Sequence, residues 1–140
     1  RFTQAGFRVV VATNQSGLGR GLFDMATLNA MHDKMHKAVN QLGGRIDAVF
    51  FCPHAQDAGC ACRKPQPGML LEIAARFNLA LAGVPVIGDS LRDLQAASAA
   101  GARPVLVLTG KGEQTLKAGG LPEGTEVHQD LAAAAMALAT

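Results

Sequence analysis

The sequence predicts an α/β fold built on a doubly wound, Rossmann-like parallel sheet. Short apolar runs rich in β-branched residues alternate with longer segments of helical periodicity, which is the order expected of parallel strands joined by helices. The runs are continuously apolar, as in strands that are buried on both faces. Because 140 residues suffice for one domain, we predict a single domain over residues 1–140.

Four apolar runs are the predicted strands. They cover residues 7–13, 46–52, 84–89 and 104–109. The runs finish on Thr13, Cys52, Asp89 and Thr109. Ligands of open parallel sheets bind outside the carboxyl ends of the strands, so a functional site is expected there. For Thr109, an ordinary polar loop is the simpler interpretation.

The longest helical pattern lies between the first two strands, over residues 24–42. Asp24 can cap its start, and Gly43 and Gly44 can end it. Its apolar face repeats at spacings of three and four and is interpreted as core. Its residues are Met25, Leu28, Met31, Met35, Val39 and Leu42. Further helices are predicted over residues 67–78, 90–100 and 130–139, and the glycine-rich residues 111–124 are expected to form a mobile loop.

Composition argues against two classes of partner. The chain has no Trp or Tyr and a net charge of only +2, so binding of nucleic acid by stacking is not expected. No apolar run approaches the roughly 20 residues that span a membrane. Three clustered cysteines, an odd number, argue against a disulfide framework and favour a reducing cytoplasm. We therefore expect a cytoplasmic protein that binds neither nucleic acid nor a membrane, and we take it to be a monomer.

All three cysteines lie in one short segment with a histidine. Cys52, His54, Cys60 and Cys62 fall within residues 52–62. Thiolate and imidazole are preferred zinc ligands, and four of them close a tetrahedral structural site with no position left for water. The segment predicts a structural zinc loop; buried core cysteines are the less favoured alternative.

A cationic pair, Arg63 and Lys64, follows the predicted zinc loop directly. A lysine neutralises a phosphate group as a compact point charge. The alternative is that the pair balances the zinc site, which carries one net negative charge with three thiolates. The sequence therefore leaves open whether these cations bind a substrate or the metal loop.

The loop after the first strand, residues 13–21, is rich in glycine and in small polar side chains. Such a loop can turn backbone N–H groups and the Thr13 hydroxyl towards an anion. Arg20 is placed to reach a second anionic group. An ordinary connection between strand and helix explains the composition equally well.

Two carboxylates follow the third strand. Asp89 stands at the strand end and Asp93 lies four residues later, hence on the same face of the next helix. Two carboxylates so placed suit a hard cation such as Mg²⁺. The alternative is helix capping, in which Asp89 or Ser90 caps the helix and Asp93 interacts with its dipole.

Taken together, these motifs resemble the haloacid dehalogenase (HAD) superfamily. Thr13-Asn14-Gln15, then Lys64, then Gly88-Asp89 with Asp93 are similar to its second, third and fourth motifs. The cysteine segment resembles the subfamily of heptose-bisphosphate and histidinol-phosphate phosphatases.

The resemblance implies a role for each matched residue. It implies that Thr13 and Lys64 stabilise the transferring phosphoryl group and that Asp89 ligates Mg²⁺, with Asp93 supporting the metal site. The residues implied in substrate binding are Thr13, Asn14, Gln15, Ser16, Arg63 and Lys64.

The implied reaction is Mg²⁺-dependent hydrolysis of a sugar phosphate through an aspartyl-phosphate. The expected substrate is the 7-phosphate of a heptose 1,7-bisphosphate used in lipopolysaccharide synthesis. Histidinol phosphate is the alternative substrate, and a non-catalytic, zinc-stabilised phosphate-binding module is the alternative of another class.

The superfamily's first motif, Asp-x-Asp, which supplies the nucleophile and the general acid, does not occur in these 140 residues. We expect it to precede Arg1 on a strand lying between the first and third strands. The 140 residues alone are then expected to be inactive.

Overall fold

A computed structural model describes residues 1–54 and 59–139 of the chain. They form two compact units, Arg1–Cys60 with Ala139 and Ala61–Leu138. The predicted α/β class with parallel strands is confirmed. The strands form two sheets, one in each unit. A single domain over residues 1–140 stays a prediction.

The first unit contains a two-stranded parallel sheet. Its elements are β1 (Val10–Asn14), α1 (Ser16–Gly19), α2 (Met25–Gln41) and β2 (Ala48–Cys52). Asn14 lies opposite Cys52 in the register, so the polar end of β1 and the first predicted zinc ligand lie at the same edge of this sheet. The predicted loop over residues 13–21 thus contains a short helix, α1, which the sequence analysis did not predict.

The predicted cap and stop of α2 are both present. The Asp24 carboxylate accepts hydrogen bonds from the Thr27 N–H and hydroxyl, each at 2.9 Å. The bond from the Thr27 N–H is the main cause that lowers the pKa of Asp24 below its ordinary value. Gly43 follows the helix at a φ of 80°, a conformation that glycine adopts without steric cost.

The apolar face of α2 is only partly buried, against the expectation of a core stripe. Leu28 is fully buried, whereas Met25 and Met31 are 45% and 47% exposed and Leu42 is 88% exposed. The residues of β1 are half-buried throughout. A two-stranded sheet offers little surface to cover a 17-residue helix, which is the physical reason for this difference.

The second unit surrounds a three-stranded parallel sheet. Its elements are α3 (Gly68–Phe77), β3 (Pro85–Gly88), α4 (Leu91–Ala99), β4 (Arg103–Val107), α5 (Gly112–Ala118), β5 (Glu126–His128) and α6 (Leu131–Leu138). β4 is the central strand, with β3 and β5 parallel to it on its two sides. Val105 and Val107 of β4 pack with Ala134 of α6 in the buried core. Burial of each of the two valines stabilises the fold by about 1.5–3 kcal/mol.

The prediction of a mobile loop over residues 111–124 is wrong, because this segment contains the helix α5. Two charged residues of the sequence favour this helix. Glu113 lies in its first turn and Lys117 in its last, so their charges complement the helix dipole. Gly112 begins the helix against the Val107 carbonyl, where an added Cβ would overlap the oxygen. β5 follows and was also not predicted. No helix in residues 1–54 or 59–139 is long and apolar enough to cross a membrane.

Candidate active site and metal cluster

The start of α4 is fixed by a capping box formed by Ser90 and Asp93. The Ser90 hydroxyl accepts from the Asp93 N–H at 3.4 Å, and Asp93 Oδ2 accepts from the Ser90 N–H at 3.2 Å. The capping alternative is therefore realised by Ser90 and Asp93. Asp89 is not the cap, so its carboxylate is left for another role.

Asp93 also holds the predicted catalytic lysine. The Lys64 Nζ lies 2.6 Å from Asp93 Oδ1, and the two side chains are only 18% and 14% exposed. The other oxygen, Oδ2, accepts from the Asp89 N–H at 3.2 Å. One carboxylate thus ties the lysine, the start of α4 and the backbone of Asp89 together.

The electrostatics of this network keep Asp93 ionised. Burial on its own raises the pKa of Asp93, but the hydrogen bond and the positive charge of Lys64, together with hydrogen bonds from Ser90, bring the pKa below its ordinary value. A mostly buried ion pair with further hydrogen bonds to one partner is the arrangement in which such a pair is retained. Asp93 is therefore held as a carboxylate next to the Lys64 ammonium group.

Asp89 is held by the turn that follows β4. Its Oδ2 accepts from the Lys111 N–H at 2.9 Å, and its backbone carbonyl accepts from the Thr115 hydroxyl at 2.8 Å. Sequence reasoning missed Lys111 and Thr115 because it interpreted their segment as a mobile loop. A backbone N–H leaves no signal in residue type, and Thr115 lies in α5, a helix of only seven residues.

Lys64 lies on a short segment that closes on itself. The Gly68 N–H donates to the Ala61 carbonyl at 3.0 Å, and the Gln66 N–H donates to the Arg63 carbonyl at 2.8 Å. An added Cβ at Gly68 would overlap the Ala61 carbonyl oxygen, so this close approach requires glycine. The Lys64–Pro65 peptide bond is cis.

Arg63 brings a second cation to the same segment. Its Nη1 is buried and has no hydrogen-bond partner within the described ranges. An unsatisfied donor on a charged group is costly to bury. An anionic ligand that reached this nitrogen would remove that cost.

The polar side chains at the end of β1 and directly after it make local contacts in the first unit. The Gln15 side-chain amide donates to the Thr13 hydroxyl at 3.3 Å, and that hydroxyl donates to the Asn14 carbonyl at 3.3 Å. Ser16 begins α1, and its side chain lies outside the part that the structure describes. The predicted phosphate-binding residues therefore fall in both units, Thr13 in the first and Lys64 in the second.

The four predicted zinc ligands come together in space. The ligand atoms of Cys52, His54, Cys60 and Cys62 all lie within 4.8 Å of one another. The Cys52 sulfur is 3.4 Å from the His54 Nδ1 and 3.4 Å from the Cys60 sulfur. Tetrahedral zinc with bonds of about 2.3 Å places its ligands about 3.7 Å apart, so the donor set fits one zinc ion. Residues 55–58 of the predicted loop lie outside the described residues.

Two cysteines of the cluster, Cys52 and Cys62, lie close enough to each other to form a disulfide, whereas Cys60 is not part of that pair. The expectation that the cysteines form no disulfide framework stays a prediction. Thiols drawn together in one cluster can either share a metal as thiolates or oxidise.

Comparisons with known proteins assign the chain to a family. Residues 61–134 match the family model of the HAD-hydrolase-like proteins. The chain is 67% identical over 135 residues to D-glycero-β-D-manno-heptose-1,7-bisphosphate 7-phosphatase from Bordetella bronchiseptica. The aligned region covers 96% of this chain and 75% of the relative. The chain belongs to the heptose-bisphosphate phosphatase family of HAD-like hydrolases. The resemblance found in its motifs is thereby confirmed.

Other members of this heptose-bisphosphate phosphatase family agree with the assignment. The enzyme of the same name from Neisseria meningitidis serogroup A is 53% identical over 131 residues, which are 92% of this chain and 70% of the relative. The crystal structure of the Bordetella bronchiseptica enzyme, complexed with magnesium and phosphate, matches with a TM-score of 0.97 and 66% identity over 99% of this chain and 77% of that one. The prediction of a HAD-like phosphatase is confirmed, and the non-catalytic alternative loses its support.

Proposed function

We propose that the protein hydrolyses the 7-phosphate of D-glycero-β-D-manno-heptose 1,7-bisphosphate, in the cytoplasm and as a monomer. The observation that carries the proposal is the network around Asp93, which holds Lys64 2.6 Å away and accepts from the backbone of Asp89. This network supplies a positive charge next to a carboxylate at a strand end. The names of the most similar relatives supply the substrate.

In this proposal Lys64 and Thr13 stabilise the transferring phosphoryl group. Fixed donors and cations aimed at developing charge supply a large part of the rate enhancement in phosphoryl transfer. Lys64 is supported in this role by its fixed position on Asp93. Arg63 binds a further anionic group of the sugar bisphosphate, which its buried and unpartnered Nη1 supports.

The side chains at the end of β1 and directly after it line the substrate site, namely Asn14, Gln15 and Ser16. Hydroxyl and amide groups of this kind suit the hydroxyl groups of a sugar. The aspartyl nucleophile that the resemblance implies is not among these 140 residues. Each experiment on activity or on magnesium therefore uses the protein expressed from its complete gene.

Asp89 is the proposed Mg²⁺ ligand, and Asp93 supports it through the Asp89 N–H. Mg²⁺ binds few protein carboxylates and keeps the rest of its shell for substrate phosphate and water. When bound, the ion neutralises charge on the phosphoryl oxygens. The similarity to a structure that contains magnesium and phosphate supports this assignment.

The proposed structural ion is Zn²⁺, held by Cys52, His54, Cys60 and Cys62. The donor set and the compact cluster support it. A structural zinc of this class contributes about 10–16 kcal/mol of apparent binding free energy to folding. It would fix the segment that leads into Arg63 and Lys64.

A substrate panel tests the proposed reaction. Heptose 1,7-bisphosphate and histidinol phosphate are compared by kcat/KM in the presence of Mg²⁺. We expect the heptose bisphosphate to be strongly preferred and to lose only the phosphate at position 7. A preference for histidinol phosphate would overturn the substrate assignment while leaving the phosphatase class intact.

Metal and thiol analysis tests the zinc cluster. Purified under reducing conditions, the protein is expected to contain one zinc per chain. Cys60→Ser should lose this zinc, whereas His36→Gln, a histidine outside the cluster, should keep it. A chain that holds no zinc and shows a single reactive thiol would instead identify the disulfide form as the native state.

A further inference from the structure

Asp89 accepts hydrogen bonds from a segment with no assigned role in the reaction. The name β4–α5 turn is used here for Gly110 and Lys111 together with Thr115, which lies in the following helix α5. The Lys111 N–H donates to the Asp89 side chain at 2.9 Å, and the Thr115 hydroxyl donates to the Asp89 main chain at 2.8 Å. The same turn therefore fixes both the backbone and the carboxylate of one residue.

Gly110 brings this turn into contact with the carboxylate. Its φ of 59° is in the left-handed region, where residues with a Cβ are strained. A Cβ built on Gly110 would overlap Asp89 Oδ2. A side chain at this position would therefore displace the carboxylate as well as strain the turn.

We propose that the β4–α5 turn positions the Asp89 carboxylate for a divalent cation. Oδ2 is engaged by the Lys111 N–H, so Oδ1 would be left to bind an ion. Mg²⁺ requires near-octahedral geometry with short bonds of about 2.0–2.1 Å, so a small displacement of the carboxylate weakens binding. Residues that orient a metal ligand typically change metal affinity by about 10–100-fold when they are altered.

The inference rests on the proposed function only in taking Asp89 as a Mg²⁺ ligand. It concerns positioning residues, since Gly110, Lys111 and Thr115 act through Asp89. A purely structural turn would give a different result: its variants would lower stability without changing the affinity for the ion.

A pair of glycine variants separates the two cases. Gly110→Ala adds a Cβ against Asp89, whereas Gly101→Ala adds one at a φ of 78° where no atom lies within 4 Å. Both variants lose stability from the strained backbone. Only Gly110→Ala is expected to weaken Mg²⁺ binding, by about tenfold or more.

Binding is measured by calorimetric titration of the variants with Mg²⁺, alongside their urea unfolding midpoints. Equal Mg²⁺ affinity in Gly110→Ala and Gly101→Ala would overturn the inference, whatever their stabilities. Thr115→Val and Thr115→Ser provide a second comparison, because serine keeps the hydroxyl. We expect weaker Mg²⁺ binding in Thr115→Val and recovery in Thr115→Ser; equal affinities in both would argue against a role for the hydroxyl.

Asp89→Asn distinguishes failure of the inference from failure of the function. If Asp89→Asn leaves Mg²⁺ affinity unchanged, the proposed metal ligand itself is wrong. If Asp89→Asn weakens binding but Gly110→Ala does not, the metal ligand stands and the positioning role falls.

Discussion

The two units of the chain differ in how deeply they bury similar apolar strands. β4 in the second unit is buried from Pro104 to Val107, whereas β1 in the first unit is half-buried along its whole length. β4 pairs with a strand on each side. β1 pairs with β2 alone among the strands of the described ranges. An apolar run thus predicts that a strand exists, and its neighbours decide how far it is buried.

The strand ends show the same contrast. In the second unit, contacts from separate segments meet at the end of β3: Lys64 pairs with Asp93, and the Lys111 N–H donates to Asp89. In the first unit, the side chains of Thr13 and Gln15 bond within residues 13–15, while the Gln15 N–H donates to the Cys52 carbonyl at 2.8 Å. The side-chain contacts at the end of β3 thus join separate segments, whereas these side-chain bonds of Thr13 and Gln15 are local.

The largest expected effect on activity comes from removing Lys64, whose ammonium group is held by Asp93. Lys64→Ala should lower kcat/KM by about 10²–10³-fold, since it removes a preorganised cation. Thr13→Val should cost less, because a neutral hydroxyl offsets less charge. Steady-state kinetics on the heptose bisphosphate measures both variants, with Lys117→Ala, an exposed lysine of the second unit, as the control. An effect of Thr13→Val that equals that of Lys64→Ala would remove the contrast between the two strand ends.

Core truncations provide the next test. Leu94 of α4 is fully buried, whereas Met31 of α2 is 47% exposed. Leu94→Ala should lower the free energy of unfolding by about 2–5 kcal/mol. Met31→Ala should change it by about 0.5 kcal/mol or less. Urea denaturation gives both values, and equal losses would mean that Met31 is covered in solution.

The smallest expected effect concerns an exposed ion pair in the second unit. The hydrogen bond from the Arg103 guanidinium lowers the pKa of Glu126 below its ordinary value of 4.5. A carboxyl whose pKa is lower in the folded state stabilises the fold fully above its unfolded pKa. This contribution is lost as the pH falls through the folded pKa.

Glu126→Gln should therefore lower stability at pH 7 and flatten its decline below pH 4.5. Because both side chains are more than a third exposed, the loss should be about 0.5 kcal/mol and should shrink in high salt. Thermal unfolding from pH 3 to pH 7 measures it. An unchanged pH profile in Glu126→Gln would show that the pair contributes nothing.

Much of the fold follows from periodicity in the sequence. The long helix α2 was predicted together with its Asp24 cap, because a helix of this length repeats its pattern over several turns. The short elements α1, α5 and β5 were not, since segments of three to seven residues carry too few repeats. Their formation depends on tertiary contacts, such as that between Gly112 and the Val107 carbonyl.

The site was predicted in its residue types but not in its connections. Lys64, Asp89 and Asp93 were singled out from motif and position, and the structure adds that Asp93 joins the other two. That connection depends on how α4 and the lysine segment approach each other, which no local pattern encodes. The hydrogen bond from the Lys111 N–H to Asp89 could not be predicted from residue types either, because almost every residue has a backbone N–H.

The tie between Ala61 and Gly68 has a consequence for engineering. The segment of Lys64 is closed by this main-chain bond, and the lysine also pairs with Asp93. Ala61 lies between two cysteines of the cluster, Cys60 and Cys62, so the bond joins the lysine segment directly to the cluster. A designer who replaces the cluster with a different cross-link would therefore have to keep the Ala61 carbonyl in position and leave Gly68 untouched.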